Sequence, residues 1–400
     1  LGFNTGPIGL TNCNAPPTPD AGVVSGIVSG NTELAIKLFS QITTAADGGN
    51  AFYSPLSVST ALAMTYAGAE GSTATQMAQV LQFNGSASDL HAGFGALACE
   101  LEADGQTPDG GQIDLANAVF GQRGETFESP FLSTLQNDYG APFQPLDFAA
   151  DPATALQDIN AWVAAQTRGN IPQVLSPGAI TSDTRMVLAN ALYFQELWST
   201  PFDPESTRTG TFHTPQQTVQ VPMMTGVINA GFLQGNGLVM VELPFSNGKT
   251  AMDLILPSTG TLSSVEATLT AANLAGWIGQ LTREQVMVTI PKFKIDLKLD
   301  LIPSLQALGL ALPFDPQNAD FSGIDGAHDL FISLLRHEAV LSVDELGATA
   351  TAATVVGIAG SAAPSWQATF DADSPFLVLI RHVPTGAILF IGQVTDPSAG

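Results

Sequence analysis

Basic side chains are scarce: Lys and Arg number 12 against 36 Asp and Glu, for a formal net charge of −24. Such an imbalance repels phosphate backbones, anionic lipid heads and sulfated chains. Nucleic acid, membrane and heparin-like polyanion partners are therefore not expected. Charge of either sign is only 12% of the chain, whereas hydrophobic residues are 45%, which excludes a disordered segment and provides for a large core. Cysteine is nearly absent, and Cys13 and Cys99 alone exclude a Cys-rich metal site. The two could form one disulfide or remain unrelated thiols. A bridge would pin the N-terminal segment to the body and indicate an oxidising setting.

Also missing is any apolar run of the ~18–20 uncharged residues that a membrane helix needs. Residues 1–30 lack a basic stretch followed by an apolar one, so they are not an intact signal peptide. They are rich in Gly, Pro, Thr and Asn, with Pro16, Pro17 and Pro19, and read as a flexible tail on a processed, secreted chain. The expected setting is extracellular, or periplasmic or cell-surface in a bacterium. Residues 31–400 then make one domain.

Enzyme motifs are absent as well. No Gly-x-Ser-x-Gly elbow, Walker loop or dinucleotide fingerprint occurs. His337-Glu338 begins a zinc-protease pattern, but Leu341 stands where the second imidazole must be. His91, His213, His328 and His382 are scattered without ligand spacing and read as structural or surface residues. No catalytic residue, metal or cofactor is expected.

What is present divides into helices first and strands later. Glu33–Ile42 is amphipathic behind Asn31-Thr32, and Val58–Tyr66 follows the break at Ser54-Pro55-Leu56-Ser57. Ser72–Leu81, Leu90–Glu102 and Ala155–Gln166 continue the helical set, and Gln112–Phe120 alternates as a strand. Met186–Phe194 is almost wholly apolar, as a strand covered on both faces would be. Val219–Met224, Leu238–Pro244, Ala251–Leu256, Val286–Ile295, Phe376–Ile380 and Gly386–Val394 are further strands. The class is α+β, with no linker to divide it.

One segment resists an ordinary assignment. Between Glu345 and Asp371 there is no charge, and from Gly347 to Ala363 the residues are small or β-branched. An exposed loop favours Asn, Asp, Lys and Gly, a buried strand is far shorter, and a Gly/Ala linker carries fewer β-branched residues. The run suits a segment able to become a strand: Ala348, Ala350 and Ala352 would face one way and enter packed space without overfilling it.

Asn50-Ala51-Phe52-Tyr53-Ser54-Pro55-Leu56-Ser57 resembles the shutter motif of the serpin family. Asn190-Ala191-Leu192-Tyr193-Phe194 with Trp198 and Phe202 is similar to its central strand and breach. Thr167–Ile171, Val221–Met224, Ile290-Pro291-Lys292-Phe293, His337 before Ala339–Glu345, Ser374–Leu377 and Ile391–Pro397 match in type and order. Gln195-Glu196 departs from the usual Lys-Gly, Leu346 from a charged residue, and Ala348 from Thr or Ser.

The resemblance implies a single α+β domain with N-terminal helices, a large central mixed sheet, two further sheets and an exposed reactive centre loop over about 346–370. It implies a hinge at Glu345, Gly347, Ala348, Ala350 and Ala352. It also implies a shutter and breach at Ser54, Ser57, Asn190, Trp198 and His337. Counted from Glu345 as in inhibitory members, the reactive bond falls at Ser361–Ala362, flanked by Ile358, Ala359 and Gly360. This bait fits an elastase-like or subtilisin-like pocket, small or shallow, and not a trypsin-like one. The implied function is suicide-substrate inhibition by a monomer that traps a serine protease covalently. A carrier, chaperone or storage role without inhibition is the alternative.

Overall fold

The computed structural model describes residues 13, 16–108, 111–348 and 365–399. Ten α-helices lie among them: α1 Val23–Ala45, α2 Pro55–Tyr66, α3 Gly71–Leu81, α4 Ala87–Gly105, α5 Ser129–Tyr139, α6 Pro152–Gln166, α7 Leu262–Glu266, α8 Ala271–Gly279, α9 Ile302–Ala307 and α10 Ser322–Asp325. The strands before the second half are β1 Ala51–Tyr53, β2 Gln112–Gln122, β3 Phe143–Leu146 and β4 Met186–Leu197. Then come β5 Arg208–His213, β6 Thr218–Gly235, β7 Leu238–Pro244, β8 Thr250–Pro257, β9 Thr282–Pro291 and β10 Phe293–Asp300. β11 Arg336–Val343, β12 Gly347–Ala348, β13 Ala368–Asp371, β14 Phe376–His382 and β15 Ile388–Val394 complete the set.

The first helix begins at Val23, inside the stretch 1–30 whose composition suggested a tail. Gly30 within it serves close packing: a Cβ there would stand 2.6 Å from the Gln82 carbonyl oxygen. Cys13 is bonded to Cys99 on α4, and Pro17 lies against Gly95 of the same helix.

Six strands form a mixed sheet in the order β10-β11-β12-β4-β2-β3, parallel only at β2–β3. Period-two alternation along β2 splits its side chains between two cores. Ile113, Leu115 and Val119 join the large core with α1, α2 and α4, while Ala116, Ala118 and Phe120 pack under α6 with Ile159, Trp162 and Val163. The sheet is thus apolar on both faces, which is why β4 reads as a continuous apolar run. The remaining strands run β1-β15-β14-β8-β7-β6-β9-β13, with β5 on β6. Long β6 bonds to β5, β7 and β9, so the two further sheets share one hydrogen-bonded path.

α2 occupies the centre and is buried almost all round. Ser54 caps it, its Oγ accepting from the Ser57 N–H at 3.1 Å, and Pro55 takes the first-turn position where no amide partner is required.

Candidate functional site: the hinge, breach and shutter

At one end of the six-stranded sheet the chain leaves β11, turns at 344–346 and re-enters as β12. Asp344 builds the turn, its Oδ1 accepting from the Leu346 N–H at 2.8 Å. Gly347 and Ala348 then lie between two strands: Ala348 is opposite Val343 on β11 and opposite Glu196 on β4, and Gly347 is opposite Leu197. Position 347 admits only glycine. A Cβ there would fall 2.0 Å from the Glu196 carbonyl oxygen and 2.8 Å from Leu197 Cα. Ala348 is completely buried, so the smallest side chain fills the first paired position.

The breach holds this turn from below. The Trp198 indole N–H donates to the Asp344 carbonyl at 2.9 Å, the Trp198 amide to Leu346 O at 2.8 Å, and the Phe202 amide to Glu345 O at 2.9 Å. The Trp198 ring stacks on Phe245 with centroids 4.7 Å apart. Glu345 receives Lys292 Nζ at 2.7 Å and the Thr207 hydroxyl at 2.8 Å. Partial burial opposes its ionisation, but the Lys292 and Thr207 hydrogen bonds outweigh that and hold the carboxyl below its ordinary range. Sequence reasoning placed Lys292 in a motif without a role. Its partner becomes visible only when β9 and β10 bring Lys292 to the turn after β11.

The shutter lies at the other end of β11. The Ser54 backbone N–H donates to His337 Nε2 at 3.0 Å, and Tyr53 meets the imidazole edge-on. Full burial lowers the His337 pKa to about 4, so the ring is neutral and carries its proton on Nδ1. A cavity of about 350 Å³ opens beside it, lined by Ser57, Val58 and Leu62 of α2, Met186 and Leu188 of β4, and His337. Asn190 pairs through its backbone with Asn117 on β2. Tyr53, whose hydroxyl donates to Ala35 O at 2.6 Å, and Asn117 were not singled out from sequence.

The structure therefore brings Ser54 and Ser57 together with His337, and Trp198 together with Glu345, Gly347 and Ala348. Ala350, Ala352, Ile358, Ala359, Gly360, Ser361 and Ala362 lie outside the described residues. On the far side of that segment the chain resumes on β13, which runs parallel to β9 from Ala368↔Val286.

The family model described as serpin (serine protease inhibitor) matches residues 29–397. Leukocyte elastase inhibitor A of Mus musculus is 36% identical over 380 residues, covering 92% of this chain and 99% of the relative. Serpin B8 of Homo sapiens is 36% identical over 372 residues, covering 92% and 98%. Among solved structures, thyroxine-binding globulin in complex with thyroxine superposes with a TM-score of 0.81 at 30% identity, covering 93% of this chain and 99% of that one.

These relatives correct one expectation. Leukocyte elastase inhibitors and serpin B8 are intracellular members without secretion signals, which overturns the secreted, extracellular or periplasmic setting drawn from the tail and the cysteines. The Cys13–Cys99 bond stands as a structural fact and does not carry a compartment with it.

Proposed function

This chain belongs to the serpin family, and from that premise we propose that it inhibits an elastase-like serine protease as a suicide substrate. The protease serine attacks the carbonyl of Ser361, forming an ester and releasing the amino terminus of Ala362. The segment from Gly347 then enters the six-stranded sheet between β11 and β4. About fourteen residues at ~3.3 Å each span on the order of 45 Å, which carries the tethered protease to the far end. Each ladder hydrogen bond contributes roughly 0.5–1.5 kcal/mol, so a dozen suffice for an irreversible step. The native sheet is then a kinetic trap.

The observation that carries this reading is the hinge. Gly347 and Ala348 are already paired on both sides, with no bulky or charged group where insertion starts. The cavity beside His337 supplies space further along the same gap. Uncharged Ile358, Ala359, Gly360 and Ser361 suit a small pocket and offer nothing to a trypsin-like one. The leukocyte elastase inhibitors among the relatives point the same way.

On this reading the chain is an inhibitor and not an enzyme, acts as a monomer, and forms a covalent complex with its target. Polyanion activation is not part of it, because α4 contains no Lys or Arg. A carrier role is disfavoured by the unobstructed hinge. Titration of pancreatic elastase tests the proposal: activity should fall to zero near equimolar inhibitor and not return on dilution. Full activity at excess inhibitor would return the carrier reading to the front.

A further inference from the structure

We propose that Glu100, Asp104 and His382 form a binding site for a divalent transition metal, zinc being the ion that fits best. Glu100 and Asp104 are one turn apart on α4 and so share a face. His382 ends β14, and its imidazole is wholly buried while Glu100 is exposed at the rim. One ligand atom from each of the three lies within 4.8 Å of the others, and His382 Nε2 stands 3.1 Å from Asp104 Oδ2.

That set is two carboxylates and one imidazole from two separate elements. It is a suitable three-ligand arrangement for zinc, with a position left to water on the exposed side. The ring is also oriented from behind: His382 Nδ1 is 2.8 Å from the Thr385 hydroxyl, in the turn closed by Gly386 at φ 78°. A hydrogen bond on the second ring nitrogen, fixing which nitrogen faces the ion, is a regular feature of histidine metal ligands.

Lys249 is the competitor. Its Nζ lies 3.5 Å from Asp104 Oδ2, and its side chain is about half exposed. An incoming cation must displace that ammonium, which has a flexible stem and open solvent to move into. Removing Lys249 should therefore tighten metal binding. The sequence could not reveal the site, since His382 meets Asp104 only across the fold.

The test is calorimetric titration of the intact, EDTA-treated chain with zinc chloride near neutral pH, beside calcium chloride as a hard-cation control. One saturable zinc site is expected, with no comparable calcium binding. Glu100→Gln and Asp104→Asn should each weaken zinc about 10–100-fold, and Lys249→Met should strengthen it several-fold. Zinc should also raise the melting temperature of the wild type and not of Glu100→Gln, a variant at an exposed position. Absence of saturable zinc binding would overturn the proposal. So would binding unchanged in both carboxylate variants, which would assign it to other histidines such as His213 or His328.

Discussion

Ala348→Glu is the most informative substitution at the hinge. Position 348 is directly opposite Glu196, and both residues are fully buried. Opposed cross-strand side chains are about 5 Å apart. Two like charges at that separation and an effective dielectric near 20 repel by roughly 3 kcal/mol. Burial of the new carboxylate adds to this. The repulsion drives residue 348 out of the gap in the native state, so insertion must first return it beside Glu196 against about 3 kcal/mol; that slows the step roughly a hundredfold, deacylation wins and the inhibitor is consumed as substrate. Ala348→Arg faces the same burial cost but gains an attraction of similar size to Glu196, so it should be the milder change. The assay is the stoichiometry of elastase inhibition for the three proteins. The wild type should be close to equimolar, Ala348→Arg raised, and Ala348→Glu raised most. Equal stoichiometry for Ala348→Glu and wild type, or a worse result for Arg than for Glu, would refute the placement of 348 beside Glu196.

Three further outcomes are expected. Lys292→Ala removes the half-exposed partner of Glu345, so it should cost about 1 kcal/mol in chemical denaturation; an effect beyond 3 kcal/mol would show that the pair does more than hold the turn. Reduction of Cys13–Cys99 frees a loop whose ends are 86 residues apart, worth about 4.6 kcal/mol in the chain-entropy model. Calorimetry with and without dithiothreitol should show a melting temperature several degrees lower, and no change would place the stability elsewhere. Stability should peak between about pH 6 and 7. Burial lowers His337 and His91 to about 4, so the unfolded chain binds more protons below the ordinary histidine value, and stability is lost as pH falls from about 6.5 toward 4. Burial and the nearby Asp114 charge raise Glu102 to about 8, so its contribution is present below about 4.5 and is lost as pH rises through about 8. Asp253, raised to about 6 by burial despite Arg381, offsets part of the acid loss. A stability maximum outside that window would contradict these assignments.

Local patterns carried much of the fold into view. The apolar run of β4, the alternation of β2 and the helices around Val58–Tyr66 and Leu90–Glu102 follow from side-chain period and burial alone. The exceptions have physical causes. Gly26 and Gly30 suggested a flexible tail because glycine is a weak helix former, yet tertiary packing of α1 needs a residue without a Cβ at Gly30. Val286–Ile295 reads as one strand, but the chain changes sheets between Pro291 and Phe293, with Lys292 N–H donating to Pro222 O. No local pattern records which sheet a strand joins. Trp198, His337 and Glu345 were legible through the family resemblance, whereas Lys292, Thr207 and Tyr53 acquire roles only from long-range approach.

Trapping at a single bond is tested by a denaturing gel of the chain mixed with pancreatic elastase. A band at the summed mass that survives boiling is expected, together with a released fragment that begins at Ala362. Cleavage without that band, with elastase still active, would contradict it.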